Sequence, residues 1–163
     1  MTPPAASVRR ADESDLDAVR QLRLRALAGA PLDFDDSLEV VRQWDDREWR
    51  RWFDARAIFV LELQGQLHGM VAADPHDRDP RTMFLGAMWL DPEARGRGAA
   101  GMLIDALNRW ASDQGVERLL LHVVEDNAAA RRAYERAGFR LTGAAPQHSE
   151  AAPREVEMEK RLS

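Results

Sequence analysis

The chain has 163 residues, of which 45% are hydrophobic and 31% charged, as is ordinary for one globular domain. Its net charge of −5 argues against non-specific nucleic-acid binding, which needs clustered positive charge. Cysteine is absent, which excludes disulfides, thiolate nucleophiles and cysteine-ligated metals. The first residues lack a secretory signal, and no apolar run nears the roughly 18 residues of a membrane span. We therefore expect a single cytoplasmic domain over residues 1–163, with neither membrane nor nucleic acid as a partner.

The N-terminal segment is predicted to form a short edge strand and then a helix. Residues 8–11 suit the strand, and Asp12 or Ser14 can cap a helix that runs to about Ala28, where Gly29 follows. The inward face of this helix should contain Leu16, Val19, Leu22, Arg23 and Ala26.

An acidic connector separates this helix from a second helical stretch that runs to about Ala55. Trp49, Trp52 and Phe53 are spaced to share one helical face, which favours packing on a sheet. The connector is either a solvated loop or a region that attracts an ammonium group. Its acidic residues are Asp33, Asp35, Asp36 and Glu39.

The central stretch, Thr82 to Trp110, reads as a strand, a turn and a helix. Residues 82–90 are uniformly apolar, which predicts a strand covered on both faces, and Asp91-Pro92 ends it. From Met102 onward apolar residues recur at helical spacing. The turn between them is rich in glycine and arginine, as in sites where a helix N-terminus binds phosphate. A tight turn with solvated arginines is the alternative.

The remaining elements follow from apolar runs and turn residues. They are a hairpin of residues 57–64 and 67–73, a polar loop 74–81, a strand 118–124, a helix 127–137, a strand 139–142, a loop 143–153 and a strand 154–162. The helix after the central strand should connect two parallel neighbours, strands 82–90 and 118–124. The order predicts an α+β fold with a mixed, mostly antiparallel sheet of about six to seven strands flanked by about four helices.

Two motifs resemble those of the GNAT acetyltransferases. Arg95-x-x-Gly98-x-Ala100 after an apolar strand is similar to the family's acetyl-coenzyme-A signature, and the block 119–139 resembles its following strand and helix. Matching positions in that block are Asn127, Ala130, Tyr134, Gly138 and Phe139. The resemblance runs from about Val8 to the end and implies a GNAT-like fold in which the two parallel strands splay apart.

This resemblance implies that acetyl-CoA is the acetyl donor and an amine the acceptor. Backbone N–H groups of residues 97–100 should bind the pyrophosphate, and backbone groups of residues 88–90 should position the thioester. The expected cofactor-binding residues are Met88, Trp89, Leu90, Arg95, Gly96, Arg97, Gly98, Ala99, Ala100 and Asn127. Asn127 should also cap its helix. In the family's fold the first two helices and their connector border the acceptor cleft, so the tryptophans could line it.

Tyr134, the only tyrosine of the chain, is expected to provide the proton for the leaving thiolate. Its match to the motif implies this role, and it shares a helical face with Asn127. A phenol with an ordinary pKa of about 10 is a weaker acid than a thiol near 8.5. We therefore expect a protonated, hydrogen-bonding tyrosine rather than a strong acid. A core tyrosine is the alternative.

The general base is not evident. Many relatives carry a glutamate in the central strand, but residues 84–89 contain none. His122 and Glu125 are the possible bases, and a water chain could also serve. His122 would face the side of Leu120 and Val124, and a satisfied buried histidine is the competing interpretation. Glu125 could instead cap the next helix.

The expected function is N-acetyl transfer to an amine, and the alternative is a non-catalytic acyl-CoA-binding module. The four histidines, His68, His76, His122 and His148, are scattered, so no metal is expected. Aminoglycosides, polyamines, amino acids, peptide N-termini and lysines all remain possible acceptors. A homodimer is possible.

Overall fold

The computed structural model describes residues 5–31, 37–146 and 152–162, which form one seven-stranded sheet with helices packed on it. The strands are β1 (Ser7–Arg10), β2 (Ala57–Leu63), β3 (Gln66–Pro75), β4 (Thr82–Leu90), β5 (Arg118–Val124), β6 (Arg140–Leu141) and β7 (Glu155–Arg161). The helices of the described part are α1 (Leu16–Gly29), α2 (Leu38–Arg42), α3 (Asp46–Asp54), α4 (Ala99–Asp113) and α5 (Ala128–Arg136). Asp33, Asp35, Asp36 and His148 lie outside the described residues.

The predicted helical stretch that ends near Ala55 corresponds to α3, whereas the short helix α2 lies in the segment that was predicted to be a connector. Ser37 caps α2, and Asp45 begins α3 with a capping box, in which its carboxylate accepts from Glu48 N and Glu48 accepts from Asp45 N. These side chains satisfy backbone donors that a continuous helix would have used internally. The break turns α3 so that Trp49 is buried and Trp52 lies at the sheet.

The sheet order is β1-β2-β3-β4-β5-β7-β6, and within it only the β4–β5 pair is parallel. The predicted crossover through α4 is confirmed. Pairing of β4 with β5 covers only Thr82–Phe84 against Arg118–Leu120. Beyond these residues the two strands diverge, and they leave a gap in the middle of the sheet.

A β-bulge interrupts β4 beside this gap. Ala72 pairs with Gly86 but Met70 pairs with Trp89, so two residues of β4 oppose the single residue Val71. Ala87 adopts a positive φ of 50°, which is rare for a residue with a side chain. The bulge reverses the inward and outward alternation, so that Leu85 faces α4 whereas Trp89 faces α1.

The sheet buries a core on each face. On the α4 side, Leu103, Ile104 and Leu107 pack against alternate residues of β2, β3 and β5. On the α1 side, Val19 and Leu22 pack against the opposite faces of β2 and β3. Among the described residues, no helix is both long and apolar enough to cross a membrane.

The prediction that residues 82–90 are covered on both faces was wrong. Only Thr82, Leu85 and Trp89 of β4 are buried, and the other residues are partly exposed. The apolar run has this exposure because one edge of β4 borders the gap. In this chain, a uniformly apolar strand is therefore one that borders a cleft, and it is not covered on both faces.

Candidate active site

A cleft of about 530 Å³ lies where β4 and β5 diverge. On the α4 side it is bordered by Leu85, Val123 and Tyr134, all members of the core on that face. On the α1 side it is bordered by charged and aromatic residues of several elements: Arg23, Trp52, Arg56, Asp74, Phe84, His122 and Glu155. The cleft thus joins the two faces of the sheet. Its volume suits a small ligand.

The turn before α4 has the geometry of an anion site. Gly96 and Gly98 adopt left-handed φ values of 78° and 73°, and Gly98 is the N-cap of α4. A Cβ at either position would meet nothing within 4 Å. The glycines are therefore needed for the backbone conformation, and the space beside them is open to a ligand. The amides of the first turn of α4 begin at this turn and have no acceptor within the helix, so they can bind an anion.

Arg95 does not extend toward this space. Its Nε donates to the carbonyl oxygen of Leu90 at 3.0 Å, and its guanidinium lies 4.8 Å from the centre of the Trp89 ring. Arg95 therefore ties the turn back to the end of β4. Arg95 and Arg97 are both exposed in the turn.

The three β4 residues expected to position the thioester differ in their surroundings. Met88 and Trp89 both border the cleft, but Trp89 is largely buried on the α1 side and donates from its indole N–H to Asp91 at 3.0 Å. Leu90 packs against the core on the α4 side. The structure therefore gives the Trp89 side chain a structural role. The open edge of β4 after Phe84 supplies backbone groups that β5 does not pair.

Tyr134 and Asn127 both line the cleft from α5. Tyr134 is 9% exposed and packs edge-on against Phe139, with ring centres 5.9 Å apart. The Oδ1 atom of Asn127 accepts from Ala130 N at 3.1 Å, so the predicted helix cap is confirmed. Tyr134 fits both interpretations made from the sequence: it is a core residue, and it also borders the cleft.

The interpretation of His122 as a buried histidine was wrong. Its side chain is 36% exposed at the cleft, and its Nε2 lies 3.2 Å from Oε2 of Glu157. The other carboxylate oxygen of Glu157 accepts from the hydroxyl of Thr142 at 3.0 Å. Phe84 packs edge-on against the imidazole at 5.5 Å. His122 is thus held by a carboxylate from the neighbouring strand.

Glu125, the second possible base, is placed differently. Its carboxylate lies 3.8 Å from Arg154, and it is not among the residues that border the cleft. Its backbone carbonyl accepts from Arg131. The geometry thus favours His122 over Glu125.

Glu157, Arg56 and Asp74 were not identified from the sequence. Arg56 Nε donates to Asp74 at 2.7 Å, and the Arg56 guanidinium lies 4.6 Å from the centre of the Trp52 ring. The sequence indicated only that Glu157 lies on the solvent-facing side of an alternating strand. Only the pairing of β7 with β5 places it opposite His122.

A cluster of charged residues lies at the end of β4, next to the turn before α4. Asp91 is 5% exposed and accepts from both Nε and Nη2 of Arg25, at 3.1 and 2.9 Å. His68 Nδ1 lies 3.3 Å from Asp91 and 3.4 Å from Glu93. Burial acts to raise the pKa of Asp91, but the hydrogen bonds from Arg25 and Trp89 outweigh it and hold that pKa below its ordinary value.

His68, Asp91 and Glu93 offer three ligand atoms within 4.8 Å of one another, a grouping that the scattered sequence positions did not indicate. The Arg25 guanidinium already pairs with the central carboxylate, which disfavours a divalent cation there. The arrangement is best described as an ion-pair cluster, and the expectation that no metal is bound stays a prediction.

The comparison with protein families agrees with this geometry. The model of the "Acetyltransferase (GNAT) family" matches residues 20–139 of the chain, a range that includes the turn before α4 and every residue that borders the cleft except Glu155. The chain belongs to the GNAT acetyltransferase family. The resemblance carried by the Arg95–Ala100 turn and the Tyr134 helix is thereby confirmed.

Curated relatives of this GNAT chain are mycothiol acetyltransferases. That of Amycolatopsis mediterranei is 32% identical over 131 residues, which cover 77% of this chain and 42% of the relative. That of Mycobacteroides abscessus is 36% identical over 96 residues, which cover 58% and 32%. The chain therefore spans less than half the length of the curated relatives that it matches.

Solved GNAT structures share the fold. The acetyltransferase of the GNAT family from Streptococcus pneumoniae has a TM-score of 0.81 at 19% identity, covering 98% of this chain and 100% of that one. The structure of yncA, a putative acetyltransferase from Salmonella typhimurium with its cofactor acetyl-CoA, has a TM-score of 0.82 at 18% identity, covering 98% and 95%. These identities support a likeness of fold alone.

Proposed function

We propose that this chain transfers an acetyl group directly from acetyl-CoA to a primary amine of a small molecule or of a protein or peptide. The observation that carries the proposal is the cleft between β4 and β5, which is bordered by Tyr134 on the α4 side and, on the α1 side, by His122, which Glu157 holds. Membership of the GNAT acetyltransferase family supports the same activity over the non-catalytic acyl-CoA-binding module.

In this proposal the coenzyme lies on the α4 side. Backbone amides from Arg97 to Ala100 bind the pyrophosphate at the N-terminus of α4, and the positive end of the helix dipole favours the anion. The unpaired edge of β4 beyond Phe84 hydrogen-bonds the pantetheine amides. These contacts direct the thioester into the gap between the strands, close to Tyr134.

The acceptor amine enters from the α1 side, where His122 borders the cleft. A neutral imidazole that donates through Nε2 to Glu157 keeps Nδ1 as a proton acceptor. The amine nitrogen attacks the thioester carbonyl carbon, and the C–S bond breaks as the amide forms. His122 takes the proton from nitrogen, and Tyr134 donates its phenolic proton to the leaving thiolate. The products are the acetamide and free coenzyme A. His122 releases the proton it took to solvent, and solvent returns a proton to Tyr134.

Three variants test the proposal: His122→Gln, Tyr134→Phe and the matched control His76→Gln. His76 also contacts Phe84, in a stacked arrangement with ring centres 5.4 Å apart, and it does not border the cleft. Thiol release over pooled amines measures turnover, and thermal shift with acetyl-CoA measures cofactor binding. We expect His122→Gln and Tyr134→Phe each to lower kcat by about a hundredfold while acetyl-CoA still binds. The control should retain turnover.

Acetyl-CoA binding without thiol release from any amine pool would favour the non-catalytic module. Unchanged kcat in both cleft variants would reject the assigned roles of His122 and Tyr134. No thermal shift with acetyl-CoA would reject the turn before α4 as the pyrophosphate site.

A further inference from the structure

The acceptor side of the cleft contains a buried cation. Arg23 occupies an inward position of α1, between Val19 and Ala26 of the core, and is only 5% exposed. It nevertheless borders the cleft. Arg23 therefore places a guanidinium at the wall of a ligand cleft, and a guanidinium is the side-chain group best suited to pair with a carboxylate.

Arg23 belongs to a wall that also contains the Arg56 guanidinium, Trp52 and the carboxylate of Asp74. Its guanidinium lies 5.4 Å from the centre of the Trp52 ring, and the Arg56 guanidinium lies 4.6 Å from the same ring. The Arg56 Nε also donates to Asp74, and its Nη1 donates to the carbonyl oxygen of Trp52. These contacts hold the Arg56 guanidinium in a fixed orientation. Preorganised guanidinium groups bind planar carboxylates through paired hydrogen bonds.

The opposite wall has the reverse character. Across β4 from Arg56 and Asp74, the cleft is bordered by His122 and Glu155, and Glu157 lies behind His122. Sheet order explains this separation, since the cationic residues come from α1 and the start of β2, whereas the histidine and the two glutamates come from β5 and β7. A cationic amine entering the cleft would be attracted to the β5–β7 wall and repelled by the guanidinium wall.

We propose that the acceptor is a small zwitterion, an amino acid or a close analogue, which places its amine at His122 and its carboxylate at the wall formed by Arg23, Trp52 and Arg56. Polyamines and aminoglycosides carry only positive groups, so the guanidinium wall disfavours them. A peptide N-terminus has no carboxylate next to its amine, and its acetylation is an outcome of the test.

The experiment compares matched acceptor pairs, because the inference rests on the proposed function and must be separable from it. Each free amino acid of a panel is assayed against its own carboxamide by coenzyme A release, together with spermidine and an alanyl peptide. The amide keeps the side chain and the amine but loses the carboxylate. Its amine is also less basic and so more often deprotonated, which biases the comparison against the proposal.

We expect kcat/KM for at least one acid to exceed that for its amide by about tenfold or more. Arg23→Gln should remove most of this preference, mainly through a higher KM for the acid. Arg20→Gln is the matched control, because Arg20 also lies on α1 and faces a tryptophan, at 5.5 Å from the Trp49 ring, but does not border the cleft. The control should keep the acid-to-amide ratio of the wild type.

Preferential acetylation of amides, spermidine or the peptide would overturn this inference and leave the transferase standing. So would an Arg23→Gln variant that binds acetyl-CoA yet lowers kcat/KM for acid and amide equally. If Arg23→Gln does not fold, the test uses the acid-to-amide ratio of kcat/KM in the wild type and in Arg56→Gln. An unchanged ratio in Arg56→Gln would then overturn the inference. Absence of turnover with every acceptor, while acetyl-CoA binds, would reject the inference together with the proposed function.

Discussion

His122 Nε2 lies 3.2 Å from Oε2 of Glu157, and the two residues face each other directly in the antiparallel register of β5 and β7. Both are on the face of the sheet where the cleft opens toward α1. The hydrogen bond fixes the ring orientation, and Thr142 in turn orients the carboxylate. A positioned imidazole at a ligand cleft is the arrangement that general-base catalysis requires.

Glu157→Gln should therefore lower kcat by about tenfold, because the loss of a charge-assisted hydrogen bond leaves the imidazole less well oriented and its protonated form less stabilised. Binding of acetyl-CoA should not change. Steady-state kinetics with the preferred acceptor provides the measurement. Glu159→Gln is the control on the same strand, since Glu159 accepts from Arg118 at 2.7 Å away from the cleft. An equal loss in both variants would indicate a general effect on β7.

A second prediction concerns the contact between Gly29 and Trp89. A Cβ at position 29 would lie 2.5 Å from Cη2 of Trp89, so Gly29→Ala should destabilise the protein by about 1–3 kcal/mol through overpacking. Urea denaturation measures the change in free energy of unfolding. Trp89→Phe makes room, so adding Gly29→Ala to it should cost less than adding Gly29→Ala to the wild type. Strictly additive effects would show that the two residues do not interact.

The turn before α4 offers a comparison of two glycines. Neither Gly98 nor Gly101 has an atom within 4 Å of an added Cβ, but only Gly98 has a left-handed φ, of 73°. Gly98→Ala should therefore lower the free energy of unfolding by about 1 kcal/mol, whereas Gly101→Ala should raise it by about 0.5–1 kcal/mol. Thermal denaturation without ligand shows whether Gly98→Ala lowers the stability and Gly101→Ala raises it. Gly98→Glu should in addition abolish acetyl-CoA binding, because its carboxylate would repel the pyrophosphate.

The Arg25–Asp91 pair predicts a contribution to stability that depends on pH. The folded state holds the pKa of Asp91 below its ordinary value, so this contribution is fully present above the carboxyl value of the unfolded chain, roughly 4. It is lost as pH falls through the lower folded value. Asp91→Asn should cost about 1–2 kcal/mol at pH 7 and progressively less below pH ~4. Urea titrations at several pH values provide the measurement.

Asp46→Asn serves as the control for this prediction. The Asp46 side chain is fully exposed, at 100%, although it lies 3.3 Å from Arg20. Exposed pairs contribute little, so the free energy of unfolding of this variant should match that of the wild type at every pH. A constant cost of Asp91→Asn across the acid range would contradict the assigned role of its charge.

Local patterns determined much of this fold. Alternation and apolar runs located β2 through β5 within two residues, because a strand that packs on a core needs those residues whatever its neighbours are. The glycines that end α4 and α5 at Gly115 and Gly138 have the left-handed backbone that their positions required. The turn before α4 and the Asn127 cap were also readable, since their requirements come from a few adjacent residues.

Only the tertiary structure decided the composition of the cleft. Glu157 is 35 residues from His122 in the sequence, and strand pairing alone brings them together. Arg23 shares its helical stripe with core residues, so periodicity could place it inward but could not show that the interior there is a cleft. The gap itself arises because β4 and β5 stop pairing after three residues and a bulge reverses the faces of β4. The residues that form the cleft depend on how the strands pair with one another, which the periodicity of a single strand cannot predict.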